Sequence, residues 1–169
     1  MRSVVLIPTY NEIDSLPSAL DRVRSAAVQA HILVIDDNSP DGTGALADAR
    51  AQSDDHIHVL HRTEKNGLGP AYLAGFKWAL ENDFELIIEM DADGSHRAED
   101  LALLIQRAEM ADKPDLVIGS RWISGGATQG WSQKRVLLSR AGNVYINLAL
   151  GLNVRDATAG FRVYRADLL

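Results

Sequence analysis

The chain has 169 residues, the length of one ordinary domain, and 46% of them are apolar, which is enough to form a buried core. Its 17 Lys and Arg against 23 Asp and Glu give a net charge of −6, an acidic balance that argues weakly against a nucleic-acid-binding protein. Cysteine is absent, which excludes disulfides, thiol catalysis and cysteine metal ligands.

The first 119 residues alternate between short β-branched apolar runs and longer helical patterns. Strands are predicted at residues 4–7, 32–35, 57–60, 86–90 and 116–118, and helices at 15–28, 43–52, 68–81 and 99–110. The strand runs are almost continuously apolar, as expected for strands that are buried on both faces. This alternation predicts an α/β domain with a mostly parallel central sheet flanked by helices.

The pattern changes after Gly119. Residues 124–130 are predicted to form a loop, 133–150 a helix, and 162–165 a last short strand. We expect the 169 residues to be one catalytic domain that lacks a C-terminal part of the full-length protein. No apolar run approaches the roughly 18 residues of a membrane-spanning helix, and the first apolar run is too short for a signal peptide. The sequence thus predicts a soluble, cytoplasmic domain.

Asp91 and Asp93 follow the predicted strand at 86–90. Residues i and i+2 of an extended chain project to the same side, so both carboxylates can converge beyond the carboxyl end of the sheet, where open α/β folds bind ligands. Two adjacent carboxylates repel each other unless a proton or a cation lies between them, and Mg²⁺ or Mn²⁺ suits such a pair. The alternative is a helix N-terminus that carries acidic side chains without binding a metal.

Two more polar loops are predicted at the same edge of the sheet. Asp36 and Asp37 follow the second strand, and acidic side chains at this place can bind the ribose or base of a nucleotide. Tyr10, which can stack on a base, and Glu12 follow the first strand. The alternative for the second loop is a well-formed turn before a helix. Three polar loops at one edge favour a ligand site.

Basic residues are concentrated near the C-terminal end. Seven of them and one acid lie between Arg121 and Arg165, so the rest of the chain is strongly acidic. Arg135 and Ser139 are four residues apart on one face of a predicted helix, and with Arg121 they can bind a phosphate. The alternative is a set of solvated arginines on an amphipathic helix. Among the histidines, His96 can reach a metal or a phosphate, and Lys65 is available to an anionic ligand.

Six motifs in order carry a resemblance to a known family. They are residues 4–12 (VVLIPTYNE), 36–43 (DDNSPDGT), 67–72 (GLGPAY), 90–96 (MDADGSH), 119–122 (GSRW) and 156–162 (DATAGFR). Together they resemble the family 2 glycosyltransferases of GT-A fold, and within them the dolichol- or polyprenol-phosphate mannose synthases. Many relatives have Gln where Ser95 stands and Pro where Ala98 stands. The Gln-x-x-Arg-Trp signature of processive polysaccharide synthases is missing.

The resemblance implies a role for each matching residue. The guanosine of GDP-mannose would be held by Pro8, Tyr10, Glu12, Ile35 and Asp37, with Asp91 and Ala92 completing that site. Asp91, Asp93 and Ser95 would bind Mg²⁺ or Mn²⁺ at the diphosphate, which Arg155 would also contact. Arg121, Arg135 and Ser139 would hold the phosphate of the lipid acceptor. The catalytic set would comprise Asp91, Asp93, Arg121, Arg135 and Ser139.

The activity implied by the resemblance is the inverting transfer of mannose from GDP-mannose to a polyprenyl or dolichyl monophosphate. The enzyme would be peripheral, at the cytoplasmic face of a membrane, and would bind no nucleic acid. Two alternatives remain open from the residues. One is a related transferase that uses UDP-glucose or UDP-N-acetylglucosamine on a lipid or polysaccharide, and the other is a non-catalytic domain that binds a sugar nucleotide.

Overall fold

A computed structural model of the chain describes residues 1–123 and 132–169, and the predicted loop at 124–130 lies outside the described residues. The strands are β1 (Ser3–Thr9), β2 (His31–Asp36), β3 (Ile57–His61), β4 (Leu86–Glu89), β5 (Leu116–Ile118) and β6 (Arg162–Arg165). The helices are α1 (Leu16–Ala26), α2 (Thr43–Ser53), α3 (Leu68–Glu81), α4 (Leu101–Ala108) and α5 (Gln133–Leu150), with 3₁₀ turns at Ala98–Asp100 and Ala166–Leu168. The predicted elements outside the loop are confirmed, with ends that differ by one to a few residues.

The strands form one sheet in the order β3-β2-β1-β4-β6-β5. Strands β1 to β4 pair in parallel, whereas β6 is antiparallel to both β4 and β5. The predicted α/β fold with a mostly parallel sheet is therefore confirmed. Because β2, β1 and β4 are parallel neighbours, the loops that follow them emerge side by side at one edge.

Apolar side chains alternate between the two faces of the sheet, as the period of two in a strand requires. Val5 and Ile7 of β1 pack on the face covered by α1 and α4, whereas Leu6 and Ile35 pack on the face covered by α3. Helix α3 approaches the sheet closely at Gly75, where an added Cβ would lie 2.6 Å from Ile35 Cδ1. The absence of a side chain at Gly75 thus allows α3 to lie above the strands that carry the polar loops.

Helix α5 is attached to the rest of the fold by polar contacts. No residue of α5 is buried against the described part of the chain. The Nδ2 groups of Asn143 and Asn147 donate to the carbonyls of Arg155 (2.8 Å) and Val154 (2.7 Å), and the Oδ1 of Asn143 accepts from the N–H of Ala157 (2.8 Å). These bonds fix which face of α5 lies towards the segment before β6. Among the described residues, no helix has the length and hydropathy needed to cross a bilayer.

Candidate active site

The three polar loops that follow β1, β2 and β4 meet at one edge of the sheet. The N–H of Asp37 donates to the carbonyl of Thr9 at 3.1 Å, which fastens the loop after β2 to β1. The N–H of Glu12 donates to Thr43 Oγ1 at 2.9 Å, at the start of α2. The charge of Glu12 also contributes to raising the pKa of Asp91, behind the larger effect of burial. The three loops therefore form one acidic site.

The loop after β2 presents a nearly buried carboxylate. Asp37 Oδ1 accepts a 2.7 Å hydrogen bond from Nη1 of Arg62, which lies just beyond β3. Burial raises the pKa of Asp37, and the Arg62 guanidinium opposes that rise. Sequence reasoning missed Arg62, since no local pattern connects it with a residue 25 positions earlier. The ion pair gives this end of the site a fixed acceptor.

The other residues expected at the nucleotide differ in exposure. Tyr10 is half-buried, and Lys65 Nζ lies 3.9 Å from the centroid of its ring. Pro8 is half-buried in β1. The side chains of Ile35 and Ala92 are buried in the core on opposite faces of the sheet, so a contact of either residue with a nucleotide must come from the backbone.

Asp91 is held on both sides of its carboxyl group. The hydroxyl of Tyr72 donates to Oδ1 at 3.3 Å, and Nε2 of His96 lies 3.8 Å from Oδ2. His96 Nδ1 accepts the backbone N–H of Asp91 at 3.0 Å, which leaves the ring proton on Nε2, towards the carboxylate. Burial raises the pKa of Asp91, His96 opposes this, and the charge of Asp93 adds to it. The two aspartates therefore lie close enough to repel each other.

His96 also joins this loop to the segment before β6. Its ring stacks on Phe161 with 5.1 Å between the centroids, and an added Cβ on Gly160 would lie 3.4 Å from His96 Cε1. Burial lowers the pKa of His96, against the charges of Asp91 and Asp93. His96 therefore lies beside the Asp91 carboxylate, and its reach to a metal or a phosphate stays a prediction.

Asp93 is more exposed than Asp91. Its Oδ1 accepts the backbone N–H of Ser95 at 2.8 Å. Burial raises the pKa of Asp93, but the hydrogen bonds from Ser95 and the charges of His96 and Arg135 outweigh burial and hold that pKa below its usual range. Asp93 therefore keeps its negative charge to a lower pH than an ordinary aspartate, and the N–H of Ser95 positions its carboxylate.

The donor set suits a hard divalent cation. Among the described residues, no group of three or more His, Asp or Glu side chains is arranged to hold a metal ion. Asp91 and Asp93 offer two mutually repelling carboxylates, and Mg²⁺ or Mn²⁺ binds through one or two carboxylates together with substrate phosphates. The residues at this position therefore fit such an ion.

A second group of residues surrounds the predicted phosphate site. Arg121 donates to the Asp156 carboxylate three times, from its backbone N–H (3.0 Å), Nε (2.8 Å) and Nη2 (2.7 Å). The Asp156 side chain is 0% exposed. Burial raises its pKa, but the bonds from Arg121 outweigh burial and lower it. Sequence reasoning did not assign Asp156, although it is the one acid in the basic stretch between Arg121 and Arg165.

The same group includes the start of α5. Arg121 Nη2 also donates to Thr158 Oγ1 at 2.9 Å, and Thr158 Oγ1 lies 3.2 Å from Ser139 Oγ. The Arg135 guanidinium helps to lower the pKa of Asp93, so the start of α5 lies towards the acidic pair. Arg121 and Ser139 are thus joined through Thr158, and the charge of Arg135 acts on Asp93. Arg155 is exposed on the segment between α5 and β6.

Opposite charges therefore face each other across this site. The carboxylates of Asp91 and Asp93 can hold a divalent cation, while Arg135 and the Ser139 hydroxyl can bind a phosphate. Arg121 contributes donors, but its charge is balanced by Asp156. This arrangement suits two phosphate-bearing molecules that meet beside a metal.

Two curated relatives match nearly all of the chain. The undecaprenyl-phosphate mannosyltransferase of Micrococcus luteus is 53% identical over 169 residues, which are 100% of this chain and 68% of that protein. The polyprenol monophosphomannose synthase of Mycolicibacterium smegmatis is 50% identical over 169 residues, covering 99% of this chain and 63% of that protein. The chain thus spans about two thirds of the length of these relatives.

Two solved structures show the same fold at low identity. A mannosyltransferase of Pyrobaculum calidifontis, solved with GDP-Man and Mn²⁺, has a TM-score of 0.69 and 19% identity, covering 99% of this chain and 45% of that one. The glucosyl-3-phosphoglycerate synthase of Mycobacterium tuberculosis has a TM-score of 0.70 and 19% identity, covering 99% of this chain and 58% of that one. The GT-A fold expected from the sequence is confirmed. Because the model of the family described as glycosyl transferase family 2 also matches residues 4–169, this chain belongs to that family.

Proposed function

We propose that the chain transfers mannose from GDP-mannose to the phosphate of a polyprenyl monophosphate, with inversion at the anomeric carbon. The names of the two curated relatives support a mannosyl transfer to a polyprenyl phosphate. The Pyrobaculum mannosyltransferase, which was solved in complex with GDP-Man and Mn²⁺, supports the donor and the metal. The observation that carries the proposal is the pair of carboxylates, Asp91 and Asp93, at the edge of the sheet, with the charge of Arg135 acting on Asp93.

The donor would lie along the edge formed by the loops after β1, β2 and β4. Tyr10 and Asp37 would hold the nucleoside, and Asp91 and Asp93 would hold Mg²⁺ or Mn²⁺, an ion that would supply charge neutralisation at the diphosphate. Tyr72 donates to the carboxylate of Asp91, His96 accepts the backbone N–H of Asp91, and the backbone N–H of Ser95 donates to the carboxylate of Asp93. These contacts preorganise the acids before the donor binds.

The acceptor would bind on the opposite side. A phosphate monoester has a second pKa near 6 and is an anion at neutral pH, so its oxygen can attack without a general base. That oxygen forms a bond to the anomeric carbon while the bond from this carbon to the GDP oxygen breaks. Arg135 and Ser139 would orient the phosphate, and Arg121 would add donors whose position Asp156 fixes.

The exposed face of α5 supports a lipid-facing orientation. Leu137, Leu138, Tyr145 and Leu148 lie opposite Asn143 on the helix, and Leu148 is 80% exposed. Exposed apolar side chains can be buried in a membrane interface while nearby basic side chains contact anionic headgroups. We therefore propose that α5 lies at the membrane that contains the acceptor and that the enzyme is peripheral.

Sedimentation with vesicles of anionic lipid tests the orientation of α5. Leu148→Gln should reduce the bound fraction, whereas Leu103→Gln, at an exposed position of α4, should leave it unchanged. Equal binding of the two variants would contradict the proposed orientation.

Transfer of labelled mannose tests the reaction itself. The chain is incubated with a short-chain polyprenyl phosphate and, in parallel, with GDP-mannose, UDP-glucose or UDP-N-acetylglucosamine, each with Mn²⁺ or with a chelator. The expected result is metal-dependent labelling of the lipid from GDP-mannose alone, with the β-anomer as product from the α-linked donor. Transfer from a UDP-sugar in its place would refute the donor assignment.

A further inference from the structure

Two cations from the loop between β3 and α3 lie at the nucleoside end of the site. Arg62 forms the 2.7 Å ion pair with Asp37, and the two side chains are only 13% and 7% exposed. Lys65 lies 3.9 Å from the centroid of the Tyr10 ring. Its charge also acts on Asp37, where it opposes the rise in pKa that burial causes. The site therefore presents one carboxylate flanked by two cations and an aromatic ring.

The ion pair with Arg62 fixes the position of the Asp37 carboxylate, which is the hydrogen-bond acceptor among these side chains. The backbone N–H of Arg62 donates to the carbonyl of Asp36 at 2.8 Å, so the loop is anchored next to Asp37. The other end of the Arg62 guanidinium, Nη2, donates to Asn66 Oδ1. Arg62 is thus held at two points, and Asp37 Oδ1 is held by Arg62. A carboxylate fixed in this way can accept further hydrogen bonds through its remaining lone pairs.

Lys65 differs from Arg62 in mobility. It is exposed, and its ammonium is a point charge on a flexible four-carbon stem. When a base stacks on Tyr10, the Lys65 ammonium can move from the ring to the edge of that base. It then donates a hydrogen bond beside the place where Asp37 accepts.

Nucleobases differ in the edge that they offer to such a pair. Guanine has the acceptor O6 next to two donors, N1–H and the 2-amino group, so a carboxylate can accept from both donors while a cation donates to O6. Uracil has a single donor, N3–H, between two carbonyl oxygens, one of which would face the carboxylate. Hypoxanthine keeps O6 and N1–H but lacks the 2-amino donor.

We infer that Lys65 is a specificity-determining residue that selects guanine over uracil together with Asp37, and that Arg62 is the positioning residue for the Asp37 carboxylate. This inference rests on the proposed function, since it assigns the base of the sugar nucleotide. It decides between the GDP-sugar and UDP-sugar alternatives that the motifs left open.

Calorimetric titration with GDP, IDP and UDP in the presence of Mn²⁺ tests the inference. The wild-type chain should bind GDP about tenfold or more tightly than UDP, with IDP in between. Lys65→Met should weaken GDP about fivefold to tenfold and change UDP less than about twofold, because the diphosphate is common to both ligands. Lys77→Met removes an exposed lysine of α3 and is the matched control, which should change neither ligand.

The role of Arg62 is tested by the ratio of GDP affinity to UDP affinity and by whether a lysine at this position restores that ratio. Arg62→Gln should lower the ratio of GDP to UDP affinity, and Arg62→Lys should restore part of it, whereas a purely structural role would weaken both ligands equally. Equal losses of GDP and UDP with Lys65→Met would show that Lys65 contacts the diphosphate and would overturn the inference. An unchanged ratio in both variants would overturn it as well.

The two proposals fail in different experiments. Mannose transfer from GDP-mannose by the wild-type chain, together with an unchanged ratio in the variants, would leave the proposed function intact and refute the base-selecting roles. A guanine preference that Lys65→Met abolishes, without any transfer to polyprenyl phosphate, would support the base-selecting roles and refute the proposed reaction.

Discussion

Replacing Asp156 with Asn removes the buried carboxylate that receives Arg121 and leaves the side-chain volume almost unchanged. In the native structure, Arg121 donates three hydrogen bonds of 2.7–3.0 Å to this carboxylate, and the Thr158 hydroxyl donates a fourth at 3.2 Å. An asparagine amide would turn a donor towards the donors of Arg121. We therefore expect Asp156→Asn to loosen the segment after β5 from the segment before β6.

The magnitude follows from the burial of the pair. Removing one partner of a buried ion pair typically costs about 3–5 kcal/mol, because the other charge loses its compensation. Asp156 is 0% exposed, but Arg121 is 21% exposed and can be partly hydrated after the substitution. We expect a loss of about 2–4 kcal/mol in the free energy of unfolding, against roughly 5–15 kcal/mol for a whole domain.

Urea denaturation of four proteins measures this effect: wild type, Asp156→Asn, Arg121→Met and the double variant. The two single losses should overlap, with a coupling energy of about 1–3 kcal/mol, since each removes the same interaction. Asp167→Asn, an exposed acid near the C-terminus, is the control and should change stability by less than about 0.5 kcal/mol. A loss below about 0.5 kcal/mol for Asp156→Asn, or additive single losses, would refute the reasoning.

The pH dependence of the free energy of unfolding in acid gives an independent check on the role of Asp156. The hydrogen bonds from Arg121 hold the pKa of Asp156 in the folded chain below its usual range, so the unfolded state binds more protons in acid. The stability that the carboxylate supplies is therefore present above about pH 4 and is lost as the pH falls through the folded pKa. Asp156→Asn should flatten that part of the profile, and an unchanged acid slope would contradict the assignment.

Three further predictions concern the metal, the acceptor and the pH dependence of stability. Asp93→Asn should weaken Mn²⁺-dependent binding of GDP-mannose about tenfold or more, while the control Asp55→Asn, at an exposed position, should not weaken it. Equal GDP-mannose affinities of the two variants would contradict a role of Asp93 in the metal site. Arg135→Gln should raise the KM for polyprenyl phosphate about tenfold or more, with little change in the KM for the donor. The control Lys134→Gln, in the same turn of α5, should change neither KM. An unchanged acceptor KM in Arg135→Gln would refute the role of Arg135. Burial and two neighbouring histidines lower the pKa of His31 from 6.5 to about 4, so the unfolded state binds the extra proton and the free energy of unfolding should fall as the pH drops from about 6.5 to about 4. His31→Gln should reduce that slope in urea denaturation, and a slope equal to that of the wild type would contradict it.

The sequence predicted the elements and the edge of the sheet at which polar residues meet. The strand runs are short, β-branched and apolar, and these local signals need no knowledge of the rest of the chain. Since parallel strands place their carboxyl ends together, Tyr10, Asp37 and Asp91 could be assigned to one edge from strand order alone. The likeness of the six motifs to glycosyl transferase family 2 was also readable in the sequence, and the family match confirms it.

The tertiary structure decided which polar side chains pair inside the site. Arg121 and Asp156 are 35 residues apart, and Arg62 and Asp37 are 25 apart, so neither pair has a local signature. The partners meet because β6 inserts between β4 and β5, and because β3 pairs with β2. A periodic pattern gives the face on which a residue lies, whereas the partner of a buried charge depends on which distant segment is packed against that face.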